Sequence, residues 1–73
     1  MDNLELFHVY RAAMDAEKQS QRWWNEAIKL TEGRPEMSQL FVELLREEQR
    51  HEQRLLFLYK KHKAEFETRV LDH

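Results

Sequence analysis

The chain has 73 residues, with 12 basic and 14 acidic side chains, a formal net charge of −2 and no cysteine. This length allows one domain, and the lack of thiols excludes disulfides, thiolate metal sites and iron–sulfur clusters. The pI of about 6.1 argues against a dedicated nucleic-acid binder, because such domains carry a basic face. A chain this small buries only about 60% of its unfolded surface, so we expect a metal or a second copy to stabilise it.

The sequence also lacks the signals of secreted and membrane proteins. The N-terminal residues MDNLEL have neither the positive charge nor the apolar stretch of a secretory signal. The longest apolar run covers residues 55–59, whereas a membrane-spanning helix needs about 20 apolar residues. We therefore expect a cytoplasmic protein with neither a membrane nor a nucleic acid as partner.

Two helices are predicted, one on each side of the only glycine and the only proline. Gly33 suits the position just past a helix end, and Pro35 is tolerated in the first turn of a helix. We expect helix 1 over about residues 3–31, a turn over 32–34 and helix 2 over about 35–66, within one domain spanning 1–73. The short link makes the helices antiparallel neighbours, so the predicted fold class is an all-α helical hairpin.

Residues at spacings of three and four predict one buried stripe on each helix. The helix 1 stripe is Phe7, Tyr10, Met14, Glu17, Gln21, Trp24 and Ile28. The helix 2 stripe is Met37, Phe41, Leu44, Glu48, His51, Leu55, Leu58 and His62. In an antiparallel hairpin, residues equally far from the turn lie at the same height. The pairs expected on this basis include Trp24/Phe41, Glu17/Glu48, Met14/His51, Tyr10/Leu55 and Phe7/Leu58.

Each helix carries a second apolar row beside its stripe. These rows are Val9, Ala13, Ala16, Trp23, Ala27 and Leu30 on helix 1, and Leu40, Leu45, Leu56 and Tyr59 on helix 2. Two helices in contact need one seam each, so the surplus apolar surface predicts a further partner. We expect two hairpins to associate as a homodimer with the architecture of a four-helix bundle. The alternative is that the second rows only broaden a single seam.

Three polar residues interrupt the stripes near mid-height. Glu48 and His51 lie one helical turn apart on one face, and Glu17 is expected across the seam from Glu48. Burying two neighbouring carboxylates is costly unless a proton, a basic side chain or a metal cation neutralises them. Two chains related by a twofold axis supply four glutamates and two histidines, which is the ligand set of di-iron and di-manganese bundles. Glu17, Glu48 and His51 are therefore the candidate metal ligands and catalytic residues.

Other charged residues are expected to be surface. Glu5 and His8 have the same spacing as Glu48 and His51, but no carboxylate is expected across the seam from them. His62 lies on the helix 2 stripe and is expected as a frayed-end residue or an interface contact. The charges around the candidate ligands are expected to form a solvated face, namely Arg46, Glu47, Arg50, Glu52 and Arg54.

Around the candidate ligands the chain resembles the ferritin-like superfamily, and is most similar to its rubrerythrin-type and encapsulated ferritin branch. The resemblance covers about residues 12–58 and is carried by Ala16-Glu17, Trp23-Trp24, residues 41–45 and Arg46-Glu47-Glu48-Gln49-Arg50-His51. It implies a two-helix subunit whose dimer assembles a ferroxidase-type di-iron centre, often in a ring of dimers. It also implies an encapsulin shell as a partner, which would place the protein inside a nanocompartment.

Position by position, Glu17, Glu48 and His51 match the metal ligands of that family, and Trp23 and Trp24 match aromatic residues near such sites. The chain departs from the pattern at Ala16 and Gln19, where encapsulated ferritins carry further glutamates. It also has no cysteine for the electron-relay iron of rubrerythrins.

The expected function is that of a ferroxidase, which oxidises Fe²⁺ with O₂ or peroxide at a site shared between two subunits. The expected cofactor is iron, two ions per dimer, with manganese or zinc as substitutes that the ligand types also allow. Four further residues are expected around the ligands as hydrogen-bond partners, electron donors or core packing, namely Gln21, Trp23, Trp24 and Tyr10.

Two alternatives stay open from the sequence. The hairpin could be a non-enzymatic dimerisation or scaffold protein in which Glu17 and Glu48 pair with arginine side chains. It could also buffer metal without oxidase turnover, which needs the same ligands and differs only in rate. Metal content after purification separates the scaffold from the two metal-binding functions.

Overall fold

A computed structural model describes residues 2–71, and the side chains of residues 2–69. The chain forms two helices, α1 (Asn3–Leu30) and α2 (Pro35–Leu71), which pack against each other as an all-α hairpin. The hairpin measures 60 × 16 × 15 Å. Over the described residues, neither helix combines the length and the apolar character that a membrane crossing requires.

Local signals explain where α1 begins. Asp2 is extended, and its side-chain oxygen accepts a hydrogen bond of 2.8 Å from the backbone N–H of Glu5. This bond satisfies one of the N–H groups that the first helical turn leaves unpaired. Glu5 in the first turn and Lys29 in the last turn also have the charges that the helix dipole favours.

The turn is held by hydroxyl groups and one glycine. Among the described residues, only Thr31 is buried, at 8% exposure. Its hydroxyl donates to the carbonyl of Ala27 at 2.8 Å and lies 3.0 Å from the hydroxyl of Ser38. The hydroxyl of Ser38 donates to the carbonyl of Thr31 at 3.1 Å. Gly33 has φ +88°, a conformation that L side chains rarely adopt.

We expect Gly33→Ala to lower the free energy of unfolding by about 1–2 kcal/mol, because a side chain in the left-handed region strains the backbone. A Cβ atom at this position would meet no other atom within 4 Å, so backbone strain is the whole effect. Glu32→Ala, at the exposed neighbouring position, is the control. Thermal unfolding should separate the two variants by about 4–8 °C per kcal/mol; equal melting temperatures would contradict the prediction.

α2 is longer than the sequence pattern predicts. It continues to Leu71, beyond the expected end at residue 66, whereas α1 ends at Leu30, close to its expected end. The added turns carry their own contacts, since the hydroxyl of Thr68 donates to the carbonyl of Ala64 at 2.9 Å and Lys63 lies 4.0 Å from Glu67. No glycine or proline follows Pro35 to stop the helix.

Near the turn, the predicted pair Trp24/Phe41 is confirmed, whereas Met37, also predicted for the buried stripe, is 45% exposed. Trp24 stacks on Phe41 with ring centroids 5.9 Å apart and an interplanar angle of 17°. Farther along, Glu17 and Glu48 lie close together, as predicted. The four-residue link therefore sets the relative height of the two helices over their first turns.

The seam departs from the prediction at the open end of the hairpin, which is the end away from the turn. Phe7 packs against Tyr59, His62 and Phe66, with ring centroids 5.8, 5.1 and 5.7 Å apart. Its predicted partner Leu58 is instead 41% exposed. The half-buried residues of this part of α2 keep Glu48, Leu55 and His62 of the predicted stripe but not His51 or Leu58. The others are Glu52, Leu56, Tyr59 and Phe66.

The hairpin alone has no core, because none of its described hydrophobic side chains is fully buried. Its exposed surface is 6143 Å², whereas a compact monomer of 9.0 kDa would expose about 4,900 Å². Its radius of gyration is 17.0 Å, against about 11 Å for a compact domain of this length. The surplus surface exceeds the roughly 800 Å² that one partner contributes to a standard protein interface.

Candidate metal centre

The structure brings the three candidate ligands together midway along the hairpin. Glu17 comes from α1, and Glu48 and His51 come from successive turns of α2. One ligand atom from each residue lies within 4.8 Å of the other two, and Glu17 Oε1 is 3.7 Å from His51 Nδ1. Each chain therefore presents two carboxylates and one imidazole at a single point.

The ligand atoms are suited to a cation. The Glu17 side chain is 19% exposed and that of His51 is 53% exposed, while Glu48 is half-buried. Glu17 Oε2 is buried and has no hydrogen-bond partner among the described residues, so this carboxylate loses water without compensation. A metal ion bound to this carboxylate would offset its charge. The donor types fit iron, manganese or zinc and do not choose among them.

The neighbouring Glu48 carboxyl raises the pKa of Glu17 above its ordinary value of 4.5. The main cause is that two carboxyl groups can share a hydrogen bond only if one of them holds a proton. Burial and the charges of Glu48 and Glu52 raise this pKa further, whereas His51 lowers it. The metal-free site therefore carries a surplus of negative charge that a proton or a cation can offset.

We expect the metal-free protein to lose stability with increasing pH. The loss begins near 4.5, the ordinary pKa of a glutamate, and is complete above the higher pKa of Glu17 in the folded chain. In this range the folded chain binds more protons than the unfolded chain, so the free energy of unfolding falls with increasing pH. Glu17→Gln cannot ionise and should be more stable than the wild type near pH 7, without this part of the pH dependence. Urea unfolding in the presence of a chelator, across a pH series, measures both effects.

Asp15→Asn, which removes an exposed carboxylate of the same helix, is the matched control and should leave the pH dependence as it is. A Glu17→Gln protein that is less stable than the wild type near pH 7 would contradict the prediction. That result would indicate that the Glu17 carboxylate is held by a basic partner.

Glu52 belongs to the acidic cluster, although the sequence analysis assigned it to a solvated face. It is half-buried, and its negative charge acts on Glu17. Its spacing of four residues from Glu48 could have predicted this position, because residues four apart share a helix face. The centre therefore has a third carboxylate nearby in each chain.

The residues expected around the ligands are only partly found there. Gln21 and Trp24 lie in the seam toward the turn, each with a buried side-chain nitrogen. Tyr10 lies in the seam toward the open end, 6.1 Å from the ring of Tyr59. Trp23 is 66% exposed and therefore does not belong to the interior of the single hairpin.

His62, a member of the predicted helix 2 stripe, lies in the seam and not at a frayed end. It lies inside the seam between the rings of Phe7, at 5.1 Å, and Tyr10, at 6.2 Å. Its Nε2 atom is buried without a hydrogen-bond partner in the described part of the chain. Glu5 and His8, in contrast, are both exposed, as predicted for a solvated pair.

A groove of about 340 Å³ opens beside the ligands on one face of the hairpin. It is lined by Ala13, Glu17, His51, Arg54, Leu55 and Leu58. We call this side of the hairpin the open face. Ala13, a member of the second apolar row of α1, therefore lies on the same face as the ligands Glu17 and His51.

The described chain is thus an all-α hairpin with a carboxylate–imidazole cluster across its seam. No protein-family model, no curated protein and no solved structure matches this chain significantly. Membership of the ferritin-like superfamily therefore stays a prediction.

Proposed function

We propose that the protein is a ferritin-like ferroxidase whose di-iron site is completed by two subunits. The observation that carries this proposal is the convergence of the ligand atoms of Glu17, Glu48 and His51 within 4.8 Å of one another. Fe²⁺ is the substrate, and bound iron supplies the redox chemistry by passing electrons to O₂ or peroxide. The chain itself supplies the ligands, their charge and their positions.

Each side chain of the cluster has a separate task. Glu17 and Glu48 offset the charge of the cations, and Glu52 adds negative potential beside them. Because the pKa of Glu17 is raised in the metal-free site, its carboxyl group can hold a proton that a bound cation would displace, so metal binding releases protons. His51 contributes a neutral imidazole nitrogen, which is a common metal ligand.

The second subunit is proposed to bind at the open face. α1 offers this face a row that alternates spacings of four and three, which is typical of a helix–helix seam: Val9, Ala13, Ala16, Ser20, Trp23, Ala27 and Leu30. Several large apolar side chains of both helices are exposed in the single hairpin, including Val9, Trp23, Leu30, Met37, Leu40 and Leu58. A twofold axis through this face would bring the two ligand sets together.

The scaffold alternative requires a basic partner for Glu17 or Glu48. Over the described side chains, neither residue forms a salt bridge with a lysine or an arginine, and the imidazole of His51 lies 3.7 Å from Glu17. This favours a metal over an ion pair as the neutralising group.

Native mass spectrometry with and without Fe²⁺ tests the proposed function. We expect a dimer that gains about two iron ions, one for each ligand set. A dimer that takes up no iron would support the scaffold alternative. A dimer that binds iron but does not oxidise it in air would support metal buffering.

A further inference from the structure

Three buried polar atoms follow one stripe of α1 without a hydrogen-bond partner among the described residues. They are Glu17 Oε2, Gln21 Nε2 and Trp24 Nε1. Their spacings of four and three make successive side chains neighbours on the helix surface, with Cβ atoms about 5–6 Å apart. A buried polar group without a partner is unfavourable, so a side-chain arrangement that pairs these atoms with each other is favoured.

The three groups are complementary. The indole of Trp24 can only donate a hydrogen bond, and the ionised carboxylate of Glu17 can only accept one. Gln21 lies between them and has both an acceptor oxygen and a donor nitrogen. Rotation about the last bond of a glutamine side chain exchanges these two atoms at little steric cost. One orientation of Gln21 can therefore satisfy both neighbours.

Trp24 is the anchored end of this stripe. Its ring is held by the stack on Phe41 at 5.9 Å, so the indole nitrogen has a defined position in the seam. Gln19 provides a contrast, because it is exposed and its side-chain oxygen already accepts a hydrogen bond of 3.4 Å from Arg22.

We propose that Gln21 is a positioning residue that links the indole N–H of Trp24 to the carboxylate of Glu17. Trp24 Nε1 donates to Gln21 Oε1, and Gln21 Nε2 donates to Glu17 Oε2. This link leaves Glu17 Oε1, which lies 3.7 Å from His51 Nδ1, to take the cation. The inference rests on the proposed function, since it assigns Gln21 a role in the same metal centre.

Zn²⁺ binding, followed by NMR of the two indole N–H groups, tests this assignment. In the wild type, Zn²⁺ should move the Trp24 N–H signal downfield and slow its exchange with solvent, and Trp24→Phe identifies which of the two signals belongs to Trp24. Gln21→Leu should abolish the Trp24 response and weaken Zn²⁺ binding by about 10–100-fold, as is typical when the partner of a metal ligand is lost. Gln19→Leu is the matched control and should behave as the wild type.

Two further variants keep the test decisive. Gln21→Asn retains the amide on a shorter side chain and should show the same loss if Gln21→Leu fails to fold. Trp24→Phe retains the aromatic stack without the N–H, and its effect on Zn²⁺ affinity should not add to that of Gln21→Leu. Additive losses would assign the two residues to separate roles and overturn the link.

The outcomes separate this assignment from the proposed function. Unchanged Zn²⁺ affinity and an unchanged Trp24 response in Gln21→Leu overturn the role of Gln21 and leave the metal centre in place. If the wild type does not bind Zn²⁺, the proposed function and the role of Gln21 both fail.

Discussion

Fe²⁺ added to the wild-type protein under anaerobic conditions is expected to bind at about one ion per chain, and air should then produce the near-ultraviolet absorption of ferric iron. Glu48→Gln should abolish this absorption and weaken Fe²⁺ binding by more than about 100-fold, because losing a ligand costs more than losing its hydrogen-bond partner. The physical reason is that Glu48 supplies one of the two carboxylates of the cluster, within 4.8 Å of the ligand atoms of Glu17 and His51. Anaerobic titration followed by stopped-flow absorbance measures both effects.

The sequence offers two matched controls for this experiment. Glu47→Gln removes the exposed carboxylate next to Glu48, and Glu5→Gln disrupts the second pair with the same spacing. Both variants should bind and oxidise Fe²⁺ as the wild type does. Oxidation that persists in Glu48→Gln, or that is lost equally in Glu47→Gln, would contradict the assignment of the site.

Trp23→Arg is expected to convert the proposed dimer into monomers. Trp23 is 66% exposed in the single hairpin and belongs to the row that we propose to bury at the open face. Placing an unpaired charge there should cost several kcal/mol, which corresponds to an increase of at least about 1,000-fold in the dimer dissociation constant. Sedimentation at several concentrations measures this constant, and circular dichroism measures the accompanying loss of helix.

Leu4→Arg is the control, because Leu4 is also 66% exposed but lines a groove on the other side of the seam, together with Phe7, His8 and Tyr59. It should leave the dimer intact. If Leu4→Arg dissociates the dimer and Trp23→Arg does not, the subunit contact lies on the opposite face. The two ligand sets would then lie apart, which would contradict the shared site.

The turn and the nearby seam could be predicted because their causes are local. Gly33 and Pro35 limit the backbone at their own positions, and the short link leaves little freedom in how Trp24 meets Phe41. Farther from the turn, which of two adjacent α2 residues enters the seam depends on packing contacts that the spacing of apolar residues does not reveal. Because one residue along a helix corresponds to a rotation of about 100°, a small change in helix rotation decides which neighbour enters the seam.

His51 and Glu52 show this limit at the site itself. The spacing of the apolar residues placed His51 in the seam and Glu52 in solvent. In the structure Glu52 is half-buried in the seam, while His51 is the more exposed of the two and reaches the open face. The aromatic contacts of Tyr59, His62 and Phe66 with Phe7 determine this rotation, and they join residues more than 50 positions apart in the sequence.

The absence of any fully enclosed hydrophobic side chain in the described hairpin has a consequence for the equilibrium between separate and associated chains. If two chains must meet before either can hold its shape and complete its ligand set, the concentration of assembled sites in dilute solution rises with the square of the chain concentration. Specific activity would then decline on dilution, and expression level would regulate turnover without any effector molecule.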